Sequence, residues 1–204
     1  MPARGAVVAD VVGWFAAHAR PLPWREPDCT PWGVMISEYM LQQTPVARVL
    51  PVWEAWLERW PTPAALAAEE PGEAVRAWGR LGYPRRAQRL HAAATAIRDE
   101  HGGEVPADVD VLRGLPGVGD YTAAAIASFA HGRRHVVLDT NVRRVLARIE
   151  GGQAFAPASV TRAERARAEA WLPEEPAEAA AWAAASMELG ALVCTADKDR
   201  KSVV

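Results

Sequence analysis

Apolar residues recur three and four positions apart along almost the whole chain, and no segment sustains the apolar–polar alternation of a half-buried strand. That property restricts the fold to helices packed on helices. Val7, Val11, Trp14 and Phe15 mark a first helix, and "LPWREPDCTP" is a proline-punctuated connector. A second helix is predicted from about Trp32 to Gln43, ending before Pro45, and a third through Val46, Val49, Val52, Trp53 and Trp56. Residues 60–103 read as several short helices, with Gly79, Gly82 and Pro84 breaking the pattern near Tyr83. "VPADVDVLRGL" predicts a short helix, "PGVG" a turn, and Asp120 to Ala130 another helix. "RHVVLDTNVRRVLARI" gives a short apolar run and one more helix, and "ERARAEAWL" and "AEAAAWAAASMELGALVC" finish the chain. Alanine runs outweigh the β-branched and aromatic residues that strands favour, so the class is all-α.

A chain of 204 residues buries a proper core, as one large domain or two small lobes. No apolar run approaches the ~20 residues of a membrane span. The N-terminus carries Asp10 and lacks a small-residue cleavage site, which argues against a signal peptide. Two cysteines, Cys29 and Cys194, make no disulfide framework, so a cytoplasmic location is expected. The net charge is −2, yet residues 80–148 hold 11 Arg and no Lys against 7 acidic residues. A locally basic middle attracts phosphates, but it is equally an ordinary solvated surface, and charge alone does not decide between them.

The turn in "LPGVGDYTAAAIASFAHG" is more informative. Its glycines, Gly117 and Gly119, stand where the chain must take positive φ or approach something closely. Backbone N–H groups of such a turn, and of the helix that starts near Asp120, suit a phosphate at the positive end of a helix dipole. A plain helix–helix connector needs only one such glycine. With Leu115, Pro116 and the small-residue helix added, the unit resembles the helix-hairpin-helix of the base-excision glycosylases related to endonuclease III. Within that family the adenine glycosylase branch of the MutY type is the nearest match. Its stretches stand here in order as "LPWR", "SEYMLQQT", "RLGYPRRAQRLH", "LPGVGDYTAAAI", "VLDTNVRRVLAR" and "MELGALVCT".

The resemblance implies two helical lobes in an endonuclease III-like fold. One is a six-helix barrel lobe over 30–133, with the helix-hairpin-helix at about 107–131. The other joins 1–29 to 134–204 as an incomplete iron–sulfur lobe. It implies excision of adenine mispaired with 8-oxoguanine or guanine in double-stranded DNA, after base flipping, by a monomer. Breaking an N-glycosidic bond wants an acid at the base and a carboxylate near the sugar. Glu38 is the candidate acid: Val34, Met35 and Leu41 put it on an apolar helix face, where desolvation keeps a carboxyl protonated. Without the motif, a glutamate at the edge of a solvated stripe is the ordinary reading. Asp139, ahead of a helix starting near Asn141, is expected to be an N-cap held ionised by helix N–H groups. By resemblance it is the sugar-stabilising carboxylate, with Asn141 and Tyr121 hydrogen-bonding around it. Tyr121 stands where bifunctional relatives carry a nucleophilic lysine, which predicts base excision without efficient strand cleavage.

DNA contact is implied at Gln42, Gln43, Thr44 and Tyr83, the wedge around the extruded base, and at Leu115, Gly117, Val118 and Gly119 of the turn. The family often has a second aromatic after this tyrosine; here it is Pro84. Trp24, Arg25, Leu41 and Glu188 match the adenine pocket. Arg85, Arg86, Arg89, Arg143 and Arg144 are phosphate contacts or solvated helix faces. Cys194 aligns with the first ligand of the family's [4Fe-4S] cluster, and position 201, where the second is expected, is Lys201. One cysteine does not hold such a cluster, so proper assembly is not expected. The oxidised-guanine-reading C-terminal domain of the family is not in this sequence, and Asp199 to Val204 are expected to be non-native, because "DRKSVV" is what a run resembling a sequencing adapter would encode. Two alternatives stay open: a thymine/uracil mismatch glycosylase of the same superfamily, which generally lacks the glutamate, and a catalytically impaired DNA-binding remnant.

Overall fold

The computed structural model of the chain describes residues 3–154 and 156–196, which form helices, turns and irregular segments with no strand among them. From the N-terminus come α1 (Arg4–His18), a 3-10 turn at Pro23–Arg25, α2 (Pro31–Met40), α3 (Val46–Arg59), α4 (Pro63–Ala67) and α5 (Pro71–Trp78). There follow α6 (Arg85–Glu100), α7 (Val109–Gly114), α8 (Asp120–His131), α9 (Thr140–Ile149), α10 (Arg162–Trp171) and α11 (Pro176–Leu192). The sequence punctuates these helices legibly. Pro31, Pro63, Pro71 and Pro176 open α2, α4, α5 and α11, where a missing N–H costs nothing. Thr30 and Thr62 cap α2 and α4 by accepting the Gly33 and Ala65 N–H groups, each at 3.2 Å.

The chain divides into two compact units, Pro21–His131 and a split unit of Met1–Arg20 with Gly132–Val204. The expected boundary at residue 30 moves back to 21. The connector belongs with the contiguous unit, because Leu22 and Trp24 are buried in that unit's core. Seven α-helices, α2 to α8, build this unit where the resemblance implies six, since the stretch after Thr62 folds its own five-residue helix α4. In its centre Trp56 packs edge-on against Trp60 and Trp78, with ring centroids 4.9 and 5.5 Å away. The indole N–H groups of Trp32 and Trp53 are satisfied by the Trp60 and Gly33 carbonyls. Helix α2 is buried on all sides from Trp32 to Met40, packed among α3, α6 and α8.

In the split unit, α11 packs on α1 and α9. Its core holds Val142, Leu146, Ala168, Leu172 and Ala179, with Trp171 stacked on Trp182 at 5.8 Å. The apolar run before Asp139 is irregular chain, not a strand.

Candidate functional site

The contiguous unit holds the glutamate expected to be the acid, the hairpin, and the two loops expected to wedge DNA. Glu38 is only 7% exposed, on α2 beside buried Val34 and Met35 and partly buried Leu41. Next to it, Tyr39 donates its hydroxyl hydrogen to the Pro116 carbonyl at 2.5 Å, which ties α2 to the turn between α7 and α8. Leu115 and Val118 are buried, so their side chains anchor that turn from inside. Gly117 has φ +84°, and a Cβ there would stand 2.8 Å from Arg89 Cβ and 3.1 Å from Tyr39 Cε1. The expectation for two demanding glycines holds at this one only. Gly119 is exposed, takes no positive φ, and a Cβ on it would meet nothing within 4 Å. Tyr121 lies partly buried in the first turn of α8.

Helix α2 stops at Met40 instead of running to Gln43, because residues 41–44 turn sharply. Gln43, at φ +58°, and Tyr83, at φ +49°, are the two non-glycine residues with positive φ among those described. A left-handed side-chain-bearing residue costs about 1–2 kcal/mol, so neighbouring structure must impose both conformations. Tyr83 is also 65% exposed, which removes the core-packing explanation for its ring. Gln43 is exposed, Gln42 half-buried, and Thr44 buried with its hydroxyl 3.3 Å from the Leu81 carbonyl.

Three of the five arginines offered as phosphate contacts are spent inside the fold. Arg86 is buried and donates to backbone carbonyls of both loops. Arg143 pairs with buried Glu164 at 2.9 Å, both side chains under a tenth exposed. Arg144 donates to Asn141 Oδ1 and the Gly190 carbonyl, each at 2.7 Å. Arg85 and Arg89 remain exposed.

In the split unit, Asp139 caps α9. Its Oδ1 accepts the Val142 N–H and its Oδ2 the Asn141 amide, both at 2.7 Å. A relay therefore runs from the Arg144 guanidinium through the Asn141 amide to the Asp139 carboxylate. Sequence reasoning expected these donors to favour the anion. They do, but burial outweighs them and raises the Asp139 pKa above the ordinary carboxylate value. Gly190 of α11 was missed. A Cβ there would lie 2.6 Å from Asn141 Cβ and 2.9 Å from Asn141 C and Cα, so only glycine lets α11 approach the start of α9 this closely. The available signal was a glycine inside an otherwise helical run, "MELGAL".

The four residues proposed for a base pocket fall in different settings. Trp24 packs in the core, edge-on to Trp53 at 5.6 Å. Arg25 is partly buried at the end of the same 3-10 turn, and Leu41 is partly buried at the end of α2. Glu188 is fully buried in α11 and accepts Arg20 Nε at 2.7 Å and Nη2 at 2.6 Å. It also accepts the Arg20 backbone N–H at 3.0 Å, so the carboxylate ties the end of α1 to α11.

Cys194 Sγ lies 3.1 Å from an Arg148 guanidinium nitrogen, and the Cys194 carbonyl accepts Arg144 Nε at 2.5 Å. No three His, Cys, Asp or Glu side chains converge among the described residues. One thiol beside a guanidinium is a donor set that does not fit a four-iron cluster. Position 201 and the segment Asp199–Val204 lie outside the described residues. No helix is long and apolar enough to cross a membrane among those described.

A family model described as "HhH-GPD superfamily base excision DNA repair protein" matches residues 36–172. The adenine DNA glycosylase of Mycobacterium tuberculosis (strain H37Rv) is 50% identical over 191 residues, 94% of this chain and 62% of that protein. The chain thus spans less than two thirds of that relative's length. The thymine-DNA glycosylase of Aeropyrum pernix is 30% identical over 92% of this chain and 85% of its own. Among solved structures, a non-covalent complex of endonuclease III with DNA superposes with a TM-score of 0.78 at 22% identity, covering 98% of this chain and 91% of that one.

Proposed function

The chain belongs to the HhH-GPD superfamily of base excision DNA repair proteins, and from that premise we propose that it is an adenine DNA glycosylase. Its substrate is adenine opposite 8-oxoguanine or guanine, extruded from the duplex and cut from its sugar by hydrolysis. The observation that carries the reading is Glu38, a buried acid on α2 in a chain half identical to a mycobacterial adenine DNA glycosylase.

Extrusion comes first, because the reacting atoms of a stacked base are hidden. Glu38 gives its proton to the adenine ring, so the base leaves neutral instead of as an anion. Positive charge then develops on the sugar, and Asp139 stabilises it. Burial that disfavours an isolated Asp139 anion makes the same anion a stronger partner for a nearby cation, because little water competes. The Asn141 and Val142 donors fix where the carboxylate points. A water molecule then bonds to the sugar cation through its oxygen and releases one proton, which replaces the one Glu38 gave to the base and completes the hydrolysis. Tyr121 supplies no amine to attack the sugar, so the backbone is left uncut. The backbone of the Leu115–Gly119 turn takes a phosphate, and the open space around Gly119 supports that role.

Single-turnover assays on duplexes carrying A:8-oxoG, A:G and T:G test the reading. Adenine release from the first two and none of thymine from the third is expected. Preference for T:G would transfer the chain to the thymine branch, the second reading that the Aeropyrum relative favours.

A further inference from the structure

Arg86 is the one buried arginine among the described residues, and no carboxylate meets it. Its guanidinium sits among neutral oxygens, and burial lowers its pKa from the ordinary arginine value. A buried charge without a counter-ion depends on its hydrogen bonds; both Nη nitrogens of Arg86 are satisfied, while its Nε is buried without a partner. The acceptors divide by nitrogen. Nη1 donates to the carbonyls of Tyr39, Met40 and Gln42, at 3.1, 3.0 and 2.6 Å, all on the end of α2 and the loop that follows it. Nη2 donates to the carbonyls of Leu81 and Gly82, each at 3.1 Å, and to the Thr44 hydroxyl at 3.0 Å. Nη1 therefore holds the end of α2 and Gln42, Nη2 bridges Thr44 of the same loop to Leu81 and Gly82, and the planar fork fixes the spacing of the two loops. The left-handed residues follow directly: Gln43 comes after Gln42, and Tyr83 after Gly82. The Arg86 guanidinium also lies 5.5 Å from the Tyr83 ring centroid and 5.2 Å from that of Trp78.

We infer that Arg86 is the positioning residue for base extrusion: it clamps the 41–44 and 81–83 loops together and imposes the left-handed backbone that presents Gln43 and Tyr83. The inference rests on the reading of those two residues as the DNA wedge. It also explains why two non-glycine residues bear an unfavourable backbone at once. A six-acceptor guanidinium offsets the strain, and glycine in either place would surrender the side chain that does the work. Lysine is no substitute, because a single ammonium nitrogen cannot reach the acceptors that two nitrogens of a planar fork hold apart, so part of the set is left unmet.

The test pairs two measurements on Arg86→Lys and Arg86→Met in the full chain. The first is amide hydrogen exchange without DNA, at Thr44 and Leu81, whose N–H groups bond the Leu41 and Trp78 carbonyls. Exchange about tenfold faster is expected at both loops in the Met variant and at one or both in the Lys variant, with α8 amides unchanged. The second is extrusion, read by 2-aminopurine fluorescence at the target position opposite 8-oxoguanine. It should drop about tenfold, with kcat falling while KM and duplex affinity move less than threefold. Wild-type exchange in both loops of Arg86→Lys overturns the assignment, and so do loosened loops with undiminished extrusion. Should Arg86→Met fail to fold, Arg86→Lys alone decides. A Gln43→Ala/Tyr83→Ala double variant that extrudes normally sinks the wedge reading instead, and the exchange experiment then still decides whether Arg86 holds the loops.

Discussion

Replacing Gly190 by alanine tests whether the Asp139 relay needs the close approach of two helices. On helix propensity alone, Gly→Ala inside α11 stabilises by about 1 kcal/mol. The geometry predicts the opposite sign. The added methyl would begin 2.6 Å from Asn141 Cβ and 2.9 Å from its backbone carbons, against an optimum of about 3.5–4.0 Å. Relief requires the start of α9 to retreat by roughly 1 Å, and overpacking of this kind costs about 1–3 kcal/mol. The net is a loss of up to ~2 kcal/mol, a fall of several degrees in Tm for a chain of this size. Asn141 carries the Asp139 carboxylate with it, and a misplacement of ~1 Å at a reacting group costs on the order of a hundredfold in rate. Differential scanning calorimetry and single-turnover base release measure both quantities. Gly13→Ala is the control, because a Cβ on this α1 glycine meets nothing within 4 Å, so it should stabilise. If Gly190→Ala raised the Tm as the control does, or excised at the parental rate, the argument from close approach would be refuted.

Asp139→Asn should keep the cap on Val142 and abolish excision, yet melt higher than the parent at neutral pH. The sign follows from a pKa raised by burial: the folded protein holds the Asp139 proton more tightly than the unfolded chain does, so the parent loses stability as pH rises from about 4. The gap between variant and parent should widen across that rise and close below it; a gap that widens on acidification would contradict the assignment. Gly117→Ala should destabilise by more than ~1 kcal/mol through its positive φ and the Arg89 contact, whereas Gly119→Ala should fold normally and lose affinity for duplex DNA. Denaturant melts and filter binding separate these two, and equal behaviour of both variants would remove the phosphate role from the turn. Tyr39→Phe removes the hydroxyl bond to Pro116 at a cost of about 1 kcal/mol, visible as a lower urea midpoint; an unchanged midpoint would show the link to be idle.

Much of the architecture was legible because the chain marks its helix starts chemically. Thr30, Thr62, Asp108, Asp139 and Thr161 each accept a backbone N–H of the helix they precede. Local propensity failed at residues 41–44: an apolar pattern continues past Met40, but the Arg86 guanidinium collects the terminal carbonyls of α2 and turns the chain. The arginines were misread for a related reason. Charge in a sequence does not say which guanidinium is spent on carbonyls, and Arg86, Arg143 and Arg144 all are. Gly190 stood in plain view within a helical run, but its partner Asn141 is 49 positions away, and only the fold brings them together. Similarly, the donors around Asp139 could be foreseen from a helix start, while the burial that outweighs them could not.

Adenine release from a duplex with A opposite 8-oxoguanine, timed for the parent, Glu38→Gln, Asp139→Asn and the double variant, tests the account most directly. Two groups working on one glycosidic bond are not additive. Each single substitution should therefore remove nearly all of the rate, about a thousandfold or more, and the double should lose little beyond either one. Retained release in Glu38→Gln, or losses that simply multiply in the double variant, would contradict the pairing of a buried acid with a capping carboxylate.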